Sequence, residues 1–167
     1  MRYDPDKKPD PKKWLKMGED KRIEACKNYH VKANIEMPNV KMHAIVHSVV
    51  ENQAATPDDN RVSDKLDQLQ REGLSRHEAI HAVGLVMSEF LFDALTGNPD
   101  PHDNENYYRE LEQLDAAQWL AMAPEPGEFD DDDFEFDVDF DEAFDGAFDD
   151  FDEDDDADAD DETKATD

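Results

Sequence analysis

The chain has 167 residues, one cysteine and a net charge of −29. The charge is unevenly spread: residues 1–124 hold 22 acidic against 16 basic residues, whereas residues 125–167 hold 24 acidic residues and one basic residue, Lys164. An extension of that sign repels nucleic acid and anionic lipid, a single thiol excludes an internal disulfide, and no apolar run reaches the ~18 residues of a membrane span. The expectation is a soluble, cytoplasmic protein with one packed domain, binding neither nucleic acid nor membrane.

Residues 1–10 alternate Pro, Asp and Lys and read as an irregular lead-in. From Pro11 a helical pattern carries Trp14, Leu15, Ile23, Cys26 and His30, interrupted near Gly18 and ended by Pro38. Asn39 is placed to cap a second helix running to Ala54. A third, shorter helix spans about Val62 to Arg71 and stops at Gly73. The fourth opens with Ser75-x-x-Glu78, a capping box, and ends at Gly97-Asn98-Pro99. A fifth starts between Asp100 and Asp103 and continues through Trp119 and Leu120. No alternating run marks a strand in the first 122 residues. The spacing therefore predicts an all-α fold: an antiparallel bundle of about five helices over residues 11–122, then a disordered Asp/Phe-rich tail over 123–167.

Seven of the nine phenylalanines lie in that tail, and Phe136, Phe140, Phe144, Phe148 and Phe151 are spaced to line one helix face. Aspartate is a poor helix former and like charges at i,i+4 oppose the helix, so the segment is expected to be disordered in water. Its composition fits a segment that folds on a basic protein partner with an apolar groove. A calcium-loop reading fails, because Glu142 and Phe148 stand where a turn glycine and a bidentate glutamate are needed.

Four of the six histidines form two i,i+4 pairs, His43/His47 and His77/His81. At about 100° per residue the members of each pair lie about 40° apart on one face. In the second helix that face also carries Val46, Val50 and Ala54, with Glu51 at its edge and Lys41, Ser48 and Asn52 opposite. In the fourth it carries Gly84, Ser88, Leu91 and Leu95, and Gly84 would let a neighbouring helix come close. Each buried imidazole needs partners for both nitrogens. Four in matched pairs are harder to satisfy with carbonyls than one, and a divalent cation satisfies them together. The expected ligands are His43, His47, His77 and His81, with Glu51 or His30 completing the shell around a divalent metal, zinc or iron.

His77-Glu78-Ala79-Ile80-His81 is also the H-E-x-x-H pattern of zinc peptidases. Against that activity, Met87 replaces the third imidazole of one peptidase class, no strand is available to hold a peptide, and Glu78 has a capping job. A carboxylate-bridged di-iron centre is weak too, since Val40 and Ala44 stand where a second Glu would be needed. The alternative from another class is a non-catalytic interaction module, its histidines packed and its tail recruiting the basic partner. Whether a reaction is catalysed is open, and a homodimer sharing the histidines is compatible with the sequence.

The stretches "WLKMGEDKRIEACKNYH", "MHAIVHSVVENQAA" and "LQREGLSRHEAIHAVGLVM" resemble the small bacterial domain-of-unknown-function family numbered eighteen forty-one, or a close relative. The likeness covers about residues 11–98. It implies that His30, His43, His47, Glu51, Asn52, Gln53, Arg76, His77, Glu78 and His81 act as one site, and it brings no known reaction.

Overall fold

In a computed structural model, residues 2–34, 39–95 and 103–122 are described, excepting the side chains of residues 89, 91–95 and 103. Among the described residues the regular elements are all helices, without strands: α1 (Pro11–Leu15), α2 (Glu19–Lys32), α3 (Val40–Ala55), α4 (Arg61–Arg71), α5 (Arg76–Leu95), α6 (Asp103–Gln113) and α7 (Ala116–Met122). The tail's predicted disorder and its Phe-lined face, the stop signals at Pro38 and Gly97–Pro99, and the side chains of Leu91 and Leu95 lie outside what is described. Among the described residues no helix is long and apolar enough to cross a membrane.

Side-chain caps set several boundaries. Asp10 accepts the Lys13 N–H (3.0 Å) ahead of Pro11, the first residue of α1, and Asn39 accepts the Met42 N–H (2.9 Å) at the start of α3. At α5 the capping box is reciprocal: the Glu78 N–H donates to Ser75 Oγ (3.1 Å) and the Ser75 N–H to Glu78 Oε2 (2.8 Å). Gly73, with φ +113°, supplies the left-handed turn between α4 and α5.

The described residues form seven helices where about five were expected in the all-α bundle, because two long patterns are cut. Gly18 separates α1 from α2. Asp115 separates α6 from α7 by starting a new helix: its carboxylate accepts the Gln118 N–H (2.7 Å) while its own N–H donates to Gln118 Oε1 (3.2 Å). That corner is held from α4. Lys65 Nζ donates to the carbonyls of Glu112 (3.1 Å) and Leu114 (2.8 Å), a cation at the end of α6, and Glu72 accepts the Ala116 N–H (2.8 Å) that opens α7.

The helix α3 is central, packed by α1, α2, α4 and α5. It runs antiparallel to α5, so that His43 meets His81 while Glu51 meets Arg76. The two approach closely at Gly84, where an added Cβ would come within 2.6 Å of Val46 Cγ1. Toward α4 and α6 the pair buries Val50, Leu66, Leu69, Ile80, Val83, Met87 and Leu111 in one apolar core. On the other side a smaller cluster joins Tyr3, Trp14, Cys26, Ala44 and Ala55. Because α3 is covered on several sides, Ser48, expected opposite the histidine face, is buried and its hydroxyl has no partner among the described residues.

Three consecutive polar residues of α3 tie it outward. Glu51 reaches Arg76 of α5, Asn52 accepts from Trp14 Nε1 of α1 (2.8 Å), and Gln53 accepts from the Tyr107 hydroxyl of α6 (2.7 Å).

Candidate metal centre

Five histidines from three helices converge. One ring nitrogen from each of His30 on α2, His43 and His47 on α3, and His77 and His81 on α5 lies within 4.8 Å of all the others. The i,i+4 spacing makes each pair: ring centroids are 4.5 Å apart for His43/His47 and 4.4 Å for His77/His81. The Gly84 contact then brings the two pairs face to face. On α2, His30 stands 4.5 Å from His43 and 4.7 Å from His47, ring centre to ring centre. His30 and His47 are fully buried, whereas His43, His77 and His81 are half-buried.

The Nε2 atoms run in a chain: His77 to His30 at 3.3 Å, His30 to His43 at 3.1 Å, His43 to His81 at 3.2 Å. These three contacts cannot all be hydrogen bonds. A ring nitrogen carries either one hydrogen or one lone pair, so a chain of four nitrogens makes at most two N–H···N bonds. The tautomers tighten the case. His30 Nδ1 lies 2.9 Å from the Cys26 carbonyl, which only accepts, so the hydrogen sits on Nδ1 and Nε2 presents a lone pair.

His47 follows the same logic through a longer relay. The Tyr3 hydroxyl donates to Glu51 Oε1 (3.0 Å), which leaves its oxygen to accept from His47 Nδ1 (3.2 Å). His47 Nε2 is then a lone pair, and it is buried with no hydrogen-bond partner among the described residues. An unpartnered buried nitrogen costs about 1–3 kcal/mol, so the fold carries a penalty here that a cation would remove.

Burial holds all five imidazoles in the neutral, ligand-competent form. For His43 the pKa is pushed down to about 3 by burial and by the charges of His81, His30 and His77; for His81 it is pushed to about 3 by burial and then by His77 and His30. His47, His77 and His30 are lowered as well, each chiefly by burial.

Two imidazole nitrogens bound at about 2.0–2.1 Å to one tetrahedral ion stand roughly 3.3 Å apart. The observed 3.1–3.3 Å contacts match that separation. The cluster could therefore hold a metal ion, with only neutral nitrogen donors.

Glu51, expected beside the imidazoles, is placed one layer behind them. Arg76 donates to both its oxygens, Nη1 to Oε1 at 2.7 Å and Nη2 to Oε2 at 2.8 Å, and Tyr3 donates to Oε1 as well. A carboxylate gripped by a buried guanidinium is turned toward that cation and is not among the converging ligand atoms. Glu78 is exposed and bonded to Ser75, and Met87 is buried in the apolar core, only 4 % exposed.

Sequence reasoning missed Tyr3 and Pro5. Residues 2–10 form no helix, yet Tyr3 is buried and Pro5 is buried too, its carbonyl accepting from Arg76 Nη1 (2.8 Å). A lone aromatic ring in an otherwise charged, Pro-broken run was the available signal.

No family model, no curated protein and no solved structure matches this chain.

Proposed function

We propose that the protein binds one divalent transition-metal ion through His30, His43, His47, His77 and His81. The observation that carries this reading is the buried, unpartnered His47 Nε2 beside a chain of imidazole contacts that hydrogen bonding alone cannot satisfy. Neutral imidazole donors suit zinc or iron(II), among the borderline ions, and disfavour magnesium and calcium. With Glu51 held by Arg76 and Glu78 by Ser75, neither carboxylate is free to bridge two metals, which supports a single ion. Grouping Arg76, Glu51 and the histidines as one unit is also what the bacterial family resemblance implies, and membership of that family is part of the same proposal.

The test is elemental analysis of the full chain, purified without a histidine tag, beside a His47→Ala/His81→Ala double variant. The expected result is about one metal per chain in the wild type and little in a variant that keeps its helical circular dichroism. No metal in the wild type, even after reconstitution with zinc or iron(II), would contradict the reading and leave the imidazoles as packing.

A further inference from the structure

The lead-in makes three hydrogen bonds on and behind the histidine cluster, and a fourth contact links their partners. Tyr3 hydrogen-bonds to His47 and to Glu51, Pro5 takes a hydrogen bond from Arg76, and Arg76 closes the loop onto Glu51. The Tyr3 ring packs 5.6 Å from Trp14 and 6.2 Å from Tyr29, covering Cys26. Among the described residues, the Tyr3 oxygen is the hydrogen-bond partner of the rear nitrogen of His47. If the segment lifts away, His47 Nδ1 loses its acceptor, and neither the tautomer nor the ring orientation is fixed.

We infer that residues 2–10 form a strap whose closure and metal binding are coupled, with Tyr3 as the positioning residue for His47. This inference rests on the metal-binding reading. Tyr3 touches no reacting atom; it acts by holding the His47 hydrogen on Nδ1, so that Nε2 faces the ion. Partners of this kind behind a metal-bound imidazole typically change metal affinity 10–100-fold. Coupling is reciprocal: whatever factor strap closure adds to metal affinity, bound metal adds to strap closure. An ion bound by His47 therefore tightens the N-terminal segment from behind, although that segment supplies no ligand.

The single cysteine reports the closed strap. Cys26 is fully buried beneath Tyr3 and Trp14, so a thiol reagent reaches it only from an open form. The experiment compares wild type with Tyr3→Phe, which keeps the ring and removes the hydroxyl. Cobalt(II) affinity is measured by competition with a chelator, and the rate of Cys26 labelling by a thiol reagent is measured with and without cobalt(II). Circular dichroism checks that the metal-free variant is as helical as the wild type.

The inference expects Tyr3→Phe to bind cobalt(II) 10–100-fold more weakly. It also expects cobalt(II) to slow Cys26 labelling strongly in the wild type, with the slowing reduced in the variant by the same factor as the affinity. Binding by Tyr3→Phe within about twofold of wild type, or equal metal protection of Cys26 in both, would overturn it. Should the variant lose helicity, unaltered labelling of the wild type on adding cobalt(II) would overturn it by itself. A wild type that takes up no cobalt(II) would instead sink the metal reading beneath it.

Discussion

The two sides of the α3–α5 pair solve the same packing problem with different chemistry. Toward α4 and α6, Val50, Leu66, Leu69, Ile80, Val83 and Met87 form an apolar core. Each methyl or methylene group there gains by leaving water, and no partner of particular geometry is required. Toward α2 and the lead-in, the same helices bury five imidazoles, a carboxylate, a guanidinium and a phenol. That side is stable only where each polar atom finds a partner, and His47 Nε2 finds none among the described residues. One side of the pair thus packs without directional partners. On the other, a cation would supply the partner that His47 Nε2 lacks among the described residues.

Changes on the polar side should be the larger and should respond to metal. Glu51→Ala leaves Arg76 buried and uncompensated and takes the hydrogen-bond acceptor from Tyr3. The expected loss is about 3–5 kcal/mol of folding stability, read as a lowered urea midpoint. A cost under about 1 kcal/mol would mean that Arg76 and Tyr3 readily find other partners. Substitution at the joint between the sides should be milder. Gly84→Ala drives a methyl against Val46, so helix separation is expected to cost about 1–3 kcal/mol and to weaken metal uptake together, because the same approach aligns the two histidine pairs. Lost stability with unchanged metal affinity would separate the two effects.

The comparison also has a pH signature in the metal-free chain. Unfolded imidazoles take up protons near pH 6.5, whereas in the fold burial and mutual repulsion hold His43 and His81 down at about 3. Between those values the unfolded chain binds more protons. The histidines' contribution is therefore fully present above about pH 6.5 and is lost as pH falls toward 3. Urea midpoints at pH 7.5, 6.5 and 5.5 should fall progressively. A Leu69→Ala variant should be weaker at every pH with the same slope, and the His47→Ala/His81→Ala variant should have a shallower one. Equal slopes in all three would show that the imidazoles do not set the acid sensitivity.

Much of this was legible from spacing. The i,i+4 pairs at 43/47 and 77/81 lie on one face of any regular helix, and Gly84 in that face marks where a neighbour can approach. His30 was readable as a member only because Ile23 and Cys26 share its face. What spacing cannot report is a contact between residues far apart in the chain. Tyr3 meets His47 across 44 positions, and the path that carries an irregular segment there has no period to read. Glu51 fell on the edge of the histidine stripe, and its direction was decided by Arg76, a residue whose place depends on how α5 crosses α3. Ser48 shows the same limit from the other side: a two-sided pattern assumes one wet face, and α3 is covered by four helices.

X-ray absorption at the edge of the bound metal tests the central claim most directly, because it counts and identifies donors without a crystal. The account expects a first shell of nitrogen at about 2.0–2.2 Å with the outer-shell scattering of several imidazoles, reduced in the His47→Ala/His81→Ala variant. A shell made mainly of carboxylate or water oxygen, or a sulfur donor near 2.3 Å, would place the metal away from the five histidines and contradict it.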